Sequence, residues 1–197
     1  MIPLRAACQP SEPLPTMKPD TVPTLDQPVK VWDPFVRLFH WSLVSCVLLN
    51  QFVLEEGKTA HEWAGYIASA LVLARVVWGF IGSRHARFAD FFPTPRRLAR
   101  HFAALRQGQH PQYAGHNPLG ALMMLALMAI VLALGLTGWM QTTDAYFGEE
   151  WLQELHEWLA NGLLIAAGLH AAAAIVMSRI ERVHLVRAMV TGVKRRY

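Results

Sequence analysis

The sequence predicts an all-α protein: an integral membrane four-helix bundle with a short amphipathic interfacial helix between helices 2 and 3. Three observations predict it. Four segments, residues 35–54, 61–81, 118–140 and 158–177, are apolar and near the length that crosses a bilayer, which is roughly 17–25 residues. The chain is 53% hydrophobic and only 16% charged, against roughly 25% charge in ordinary soluble domains. Histidines stand at the edges of these segments or inside them, where an ionisable side chain is costly and marks function by default.

The elements follow in order. Residues 1–30 are rich in proline and polar side chains and lack the apolar run of a cleaved signal peptide. They are expected to form a disordered leader on the cytoplasmic side. Residues 31–197 form the four-helix domain. Its first span, 35–54, is the least hydrophobic, with His40, Asn50 and Gln51 inside it. The second, 61–81, opens on His61 and contains Arg75. In the loop that follows, Thr94-Pro95 makes a good helix start. Leu98, Phe102 and Leu105 then fall on one face, with Arg96, Arg97, Arg100 and Arg106 around the other. This pattern predicts a short helix on the membrane surface, against the plainer reading of a solvated basic loop. The third span, 118–140, carries no charge and reaches about 34 Å as a helix. The fourth, 158–177, has His156 just before it and His170 inside it.

Charge placement sets the direction. The loop 83–117 carries Arg84, Arg87, Arg96, Arg97, Arg100 and Arg106 against a single acid, Asp90. The tail carries Arg179, Arg182, Arg187, Lys194, Arg195 and Arg196 against Glu181. The other two loops are poor in base, with Glu55, Glu56 and Lys58 in one and Asp144, Glu149, Glu150 and Glu154 in the other. Positive-inside placement puts both termini and the middle loop in the cytoplasm of a bacterial plasma (inner) membrane. The net charge of +4 therefore reads as a topology signal and not as a nucleic-acid patch. Cys8 and Cys46 form no Cys-x-x-Cys pair, which argues against zinc, thioredoxin-like chemistry and a thioether haem attachment.

Orientation then fixes the depth of each histidine. His61 and His156 open their spans on the outer side. His40 lies near the inner start of span one. His170 is 14 residues beyond His156 (170 − 156), almost four turns, so both rings leave one face about 21 Å apart. Two level-matched pairs result, His61 with His156 and His40 with His170. Paired imidazoles suit a six-coordinate haem that moves electrons, giving two non-covalent haem b groups per chain with these four histidines on iron. The stripes His156, Ala160, Leu163, Ala167, His170 and His61, Gly65, Ala68, Val72, Arg75 leave room for a flat macrocycle, although small residues also simply let helices approach. Arg75, 14 residues after His61, is expected to hold a haem propionate or haem edge, with snorkelling to the cytoplasm as the alternative. His116, before the third span, is open as a ligand, as a propionate or quinone contact, or as an interfacial helix-start residue. His85, His101, His110 and His184 are expected to be solvated.

Several motifs carry a resemblance: Trp32-Asp33-Pro34 through Arg37-Leu38-Phe39-His40-Trp41, then His61-Glu62-Trp63 with Gly65. Ala74-Arg75-Val76-Val77-Trp78-Gly79-Phe80-Ile81-Gly82-Ser83 with Arg87-Phe88 follows, then Gly115-His116-Asn117-Pro118-Leu119-Gly120. His156-Glu157, His170 and Leu185-Val186-Arg187-Ala188-Met189-Val190-Thr191-Gly192 complete the set. Over residues 31–194 the chain resembles the prokaryotic cytochrome b561 family, which includes the b-type cytochrome subunits of membrane-bound nickel-iron hydrogenases. The resemblance implies two b haems between four helices, with ligands from the first, second and fourth at His40, His61, His156 and His170. It implies no core ligand from the third helix. The leader is unlike the usual short family start.

The leading function is electron transfer between a periplasmic redox partner, a c-type cytochrome or a hydrogenase, and the membrane quinone pool. The protein is then an electron carrier or redox-complex subunit more than a stand-alone enzyme. Its partners are that protein, quinone and membrane lipid, with a homodimer left open. The alternative is a quinone-reducing oxidoreductase acting on a small periplasmic reductant such as superoxide. The acidic outer loop at 144–154 disfavours anion capture and suits a basic protein. A metal or proton transporter, with the histidines as a relay, lacks the intramembrane carboxylates such a path needs.

Overall fold

In the computed structural model the described residues are 29–109, 111, 113 and 115–195; His110 and all of the expected leader but Val29 and Lys30 lie outside them. A two-residue strand β1 (Val29–Lys30) leads into α1 (Pro34–Phe52) and α2 (Thr59–Ile81). A 3-10 turn (Arg84–Ala86), α3 (Phe88–Phe91) and α4 (Pro95–Arg106) form the middle loop. Then come α5 (Pro118–Gln141), α6 (Glu150–Ile180), α7 (Leu185–Thr191) and a second short strand, β2 (Val193–Lys194).

Three helices start by one device. Asp33 Oδ1 accepts from the Val36 amide at 2.8 Å, Asn117 Oδ1 from Gly120 at 2.7 Å, and Thr94 Oγ1 from Arg97 at 3.3 Å. Each cap precedes a proline in the first turn, where the missing N–H has no intrahelical partner to lose. At the other end of the domain Gly192 stops α7 in the left-handed region, φ +82°. A side chain there would also press on the Trp32 carbonyl, 2.7 Å from where its Cβ would stand.

Packing runs from neighbour to neighbour: α1 on α2, α2 on α5, α5 on α6. Phe39, Ala68, Val72, Met128, Val131 and Leu163 form the shared core. Among the described residues α6 does not pack closely on α1 or α2. It meets them through histidine rings.

The long helices keep apolar faces outward, with Leu73, Val77, Phe80, Ile165 and Leu169 all exposed. Three helices, α2, α5 and α6, are long and apolar enough to cross a membrane. Segment one does form a continuous helix, α1, but it is not among those three. It has 19 residues and spends several on Arg37, His40, Asn50 and Gln51. Helix α6 begins at Glu150, earlier than its apolar stretch. At 31 residues it runs about 46 Å, well beyond a hydrocarbon core of about 30 Å.

The middle loop folds onto the bundle. Helix α4 rests against α5, but its inward face is not the one expected. His101 is buried and Leu98 and Leu105 are half-buried, while Phe102 is 50% exposed. Leu98, His101 and Leu105 share a face at i, i+3 and i+7. His101 is therefore not solvated: its Nδ1 lies 3.2 Å from Tyr113 Oη.

A second apolar cluster of Val31, Trp32, Val36, Ala86 and Ala188 closes the arginine-rich end. Strands β1 and β2 pair antiparallel there, Val29 with Lys194 and Lys30 with Val193. The amides of Val31 and Trp32 donate to the Gly192 carbonyl at 2.9 and 3.1 Å. Segments some 160 residues apart are thus clasped over one end of the bundle.

Candidate functional site

Two places bring histidines together. At the acidic end, His61 from the first turn of α2 faces His156 from the second turn of α6, ring centroids 6.4 Å apart and planes at 57°. At the basic end, His40 of α1 faces His170 of α6 at 6.5 Å and 50°. Both pairs span the slot where α6 stands away from α1 and α2. The two stripes read from the sequence face inward: Ala68, Val72 and Arg75 are buried on α2, and Leu163 on α6, with the histidines half-buried.

A transition metal held between two imidazoles at about 2 Å per bond leaves the ring centroids roughly 6 Å apart. Both pairs meet that spacing. The ring nitrogens Nδ1 of His40 and His61 are buried and have no hydrogen-bond partner, a costly state that needs a reason. Ligation at Nε2 would leave each of these Nδ1 atoms as an N–H still without an acceptor, so the ring spacing carries the fit. The residues present therefore fit a bis-imidazole iron.

The acidic-end pair has one firm polar contact. His156 Nδ1 lies 2.8 Å from Thr137 Oγ1 on α5. Thr137 is buried, and nothing in the sequence singled it out. Its neighbour Gly138 leaves room for the ring, since a Cβ there would stand 3.3 Å from His156 Cε1.

The basic-end pair sits among polar groups. Arg75 does not snorkel: it is 1% exposed. Its Nη2 donates to the Ala86 carbonyl at 3.0 Å, and its Cζ lies 5.4 Å from the Phe88 ring centroid. Its Nη1 is buried without a partner. His116 belongs to neither pair but lies near the basic-end one, its ring 4.8 Å from Trp32 and 5.3 Å from Phe91. Burial, reinforced by the Lys194 and Arg75 charges and by the nearby His170 and His40, pushes its pKa down to about 3, so its ring is neutral. Its Nδ1 also has no partner.

Two further residues hold this end together. Lys194 is buried, and its Nζ donates to the Tyr113 and Gly115 carbonyls, 3.1 Å each. Burial lowers its pKa. Asp33 accepts from Ser83 Oγ at 2.5 Å and Trp78 Nε1 at 3.0 Å, besides capping α1. Burial alone would raise its pKa. The bonds from Ser83, Val36 and Trp78, with the Arg75 charge, outweigh that and hold it below 3.8. Lys194 read in the sequence only as part of a basic tail.

Long helices with apolar outer faces define a multi-pass membrane protein. The model for the prokaryotic cytochrome b561 family matches residues 31–192, and the chain belongs to that family. Three similar proteins are each named a probable Ni/Fe-hydrogenase B-type cytochrome subunit. The one from Azotobacter vinelandii is 24% identical, over 83% of this chain and 87% of the relative. That from Rhodobacter capsulatus is 26% identical, over 83% and 80%. That from Bradyrhizobium diazoefficiens is 23% identical, over 83% and 85%. No solved structure matches. Family membership makes the chain a b-type cytochrome of electron transport, with haem b as its cofactor.

Proposed function

We propose that the chain is a two-haem cytochrome carrying electrons across a bacterial plasma membrane, between a periplasmic redox protein and the quinone pool. The observation that carries this reading is the pair of facing histidine sets, 6.4 and 6.5 Å between ring centroids, spaced along one helix. His61 and His156 hold one iron; His40 and His170 hold the other. Each bound haem b supplies one reversible electron at its iron. With an imidazole from each helix on the iron, His61 with His156 and His40 with His170 would leave neither site a vacancy for oxygen. Arg75 Nη1 and His116 Nδ1 are buried hydrogen-bonding groups without partners near the basic-end pair. We assign them to propionate or quinone contact.

Helix α1 is the fourth span in this reading. Its 19 residues cover about 28 Å, and it lies along α2 with Leu38, Leu48, Leu49 and Phe52 exposed. Helix α4 lies at the cytoplasmic interface, with Arg96, Arg97, Arg100 and Phe102 exposed. Residues 31–197 form this one domain and 1–30 its leader. The arginine-rich end faces the cytoplasm and so do both termini. A cysteine replacing Gln107 then resists a membrane-impermeant thiol reagent added outside intact cells; ready labelling inverts the topology.

The printed names of the relatives favour a hydrogenase over a c-type cytochrome as the redox partner. The acidic residues Asp144, Glu149, Glu150 and Glu154 offer a basic partner surface long-range attraction. The test of the central claim is haem stoichiometry. Purified, fully loaded protein carries two haem b per chain by pyridine haemochrome assay. A reproducible value of one removes one histidine pair from the assignment.

A further inference from the structure

Helix α5 supplies no histidine to either pair, yet it touches one of them. Thr137 Oγ1 lies 2.8 Å from His156 Nδ1. The same hydroxyl is 3.0 Å from the Ala133 carbonyl and 3.2 Å from the Leu134 carbonyl, as donor. A threonine hydroxyl has one proton and two lone pairs. In a helix that proton goes to the carbonyl three or four residues back. The oxygen facing His156 is then an acceptor, so His156 Nδ1 carries the proton and its Nε2 is left with a bare lone pair. That is the tautomer a metal ligand needs.

The opposite histidine has no such arrangement, since His61 Nδ1 is buried without a partner. Gly138 completes the seat. A methyl group there would stand 3.3 Å from His156 Cε1, tight enough that the ring would have to shift by a few tenths of an ångström against the Thr137 oxygen.

We propose that Thr137 is the positioning residue of the acidic-end haem: it fixes the tautomer and ring plane of His156 and raises that ligand's basicity. The proposal rests on His61 and His156 being axial ligands. Its chemical consequence is directional. A more basic imidazole favours the oxidised, more positive iron, so the Thr137 bond lowers the potential of the acidic-end haem. It leaves the basic-end haem, almost four turns away on α6, unchanged.

The test uses full-length, haem-loaded protein in detergent and three variants, with His156→Ala as the ligand control. Thr137→Val keeps the shape and removes the acceptor. It is expected to raise the potential of one haem only and to alter the EPR signal of that haem. It should also speed that haem's loss, within the 10–100-fold range in affinity typical of lost outer-shell partners. Thr137→Ser keeps the hydroxyl and is expected to restore all three readouts. Gly138→Ala keeps the hydroxyl but displaces the ring, and is expected to move the same haem in the same direction. The second haem, held by His40 and His170, reports in each sample that the bundle is folded.

Two results overturn the proposal. One is Thr137→Val leaving both potentials and both EPR signals at their original values while His156→Ala removes one haem. The other is Thr137→Ser behaving like Thr137→Val, which assigns the effect to packing. If His156→Ala leaves both haems in place, the ligand assignment itself falls, and Thr137 falls with it.

Discussion

The two histidine pairs share a helix and nearly share a geometry, yet their surroundings differ. The acidic-end pair has one hydrogen-bonding neighbour, Thr137, set in a helix with no charged residue, and the Glu56 carboxylate acts on His156 through space. The basic-end pair lies at the end closed by Arg75, His116, Lys194 and Asp33, and by Arg37, whose Nη1 donates to the Val190 carbonyl at 2.7 Å. Cations favour the reduced, less positive iron through Coulomb attraction that burial leaves weakly screened. A hydrogen bond accepted from a ligand's Nδ1–H favours the oxidised iron. Both differences push the same way: in the two-haem reading proposed above, the basic-end haem is expected to have the higher potential, so that an electron entering at the acidic end would run downhill. Near-equal ligand geometry therefore need not mean equal chemistry.

Removing ligands breaks the comparison with the largest effect. His156→Ala and His61→Ala are expected to abolish the same redox wave, the lower one. His170→Ala and His40→Ala are expected to abolish the upper. Redox titration of haem that remains bound makes the assignment. Pairing of His156→Ala with His40→Ala would undo the matching by level.

A smaller effect sharpens the comparison at the basic end. Arg75→Gln removes a buried cation and strains its bond to the Ala86 carbonyl. The upper potential is expected to fall toward the lower, and stability to drop by about 1–3 kcal/mol. Equal shifts in both waves would show that Arg75 acts on the whole fold and not on one site.

The smallest effect concerns pH. Asp33 has a folded-state pKa below 3.8, so its bonds stabilise the basic end above that value and are lost as pH falls through the folded value. Amide exchange in residues 31–36 should stay slow at neutral and mildly acid pH and rise only as the pH falls through the depressed Asp33 value, below the usual carboxylate range. Asp33→Asn should abolish that step. Exchange near His61 and Thr137 should not follow it.

The placement of the four histidines was legible because it needs only local rules. Helix rise, bilayer thickness and the count between His156 and His170 fix depth, and an apolar stripe fixes facing. The capped start at Thr94 was legible for the same reason, since a cap, a proline and the amide it serves lie within a few residues; Asp33 and Asn117 proved to be caps of the same kind. Helix α1 shows the limit of composition. Its polar residues kept it off the set of plainly membrane-length apolar helices, although it delivers His40 to the same slot.

Other features depended on partners distant in the chain. Lys194 looked like one more basic tail residue until β1 and β2 paired and carried its ammonium to two loop carbonyls some 80 residues away. His101 looked solvated until Tyr113 and α5 covered it. Thr137 was one threonine in an apolar helix until α6 packed alongside and brought His156 within hydrogen-bond reach. Sequence by itself determined which histidines share a helix face and how far apart they lie along it, because periodicity and rise belong to each helix alone. Tertiary structure decided which polar atoms meet there, because a hydrogen bond between helices depends on their register to within about half an ångström, and no single helix carries that information.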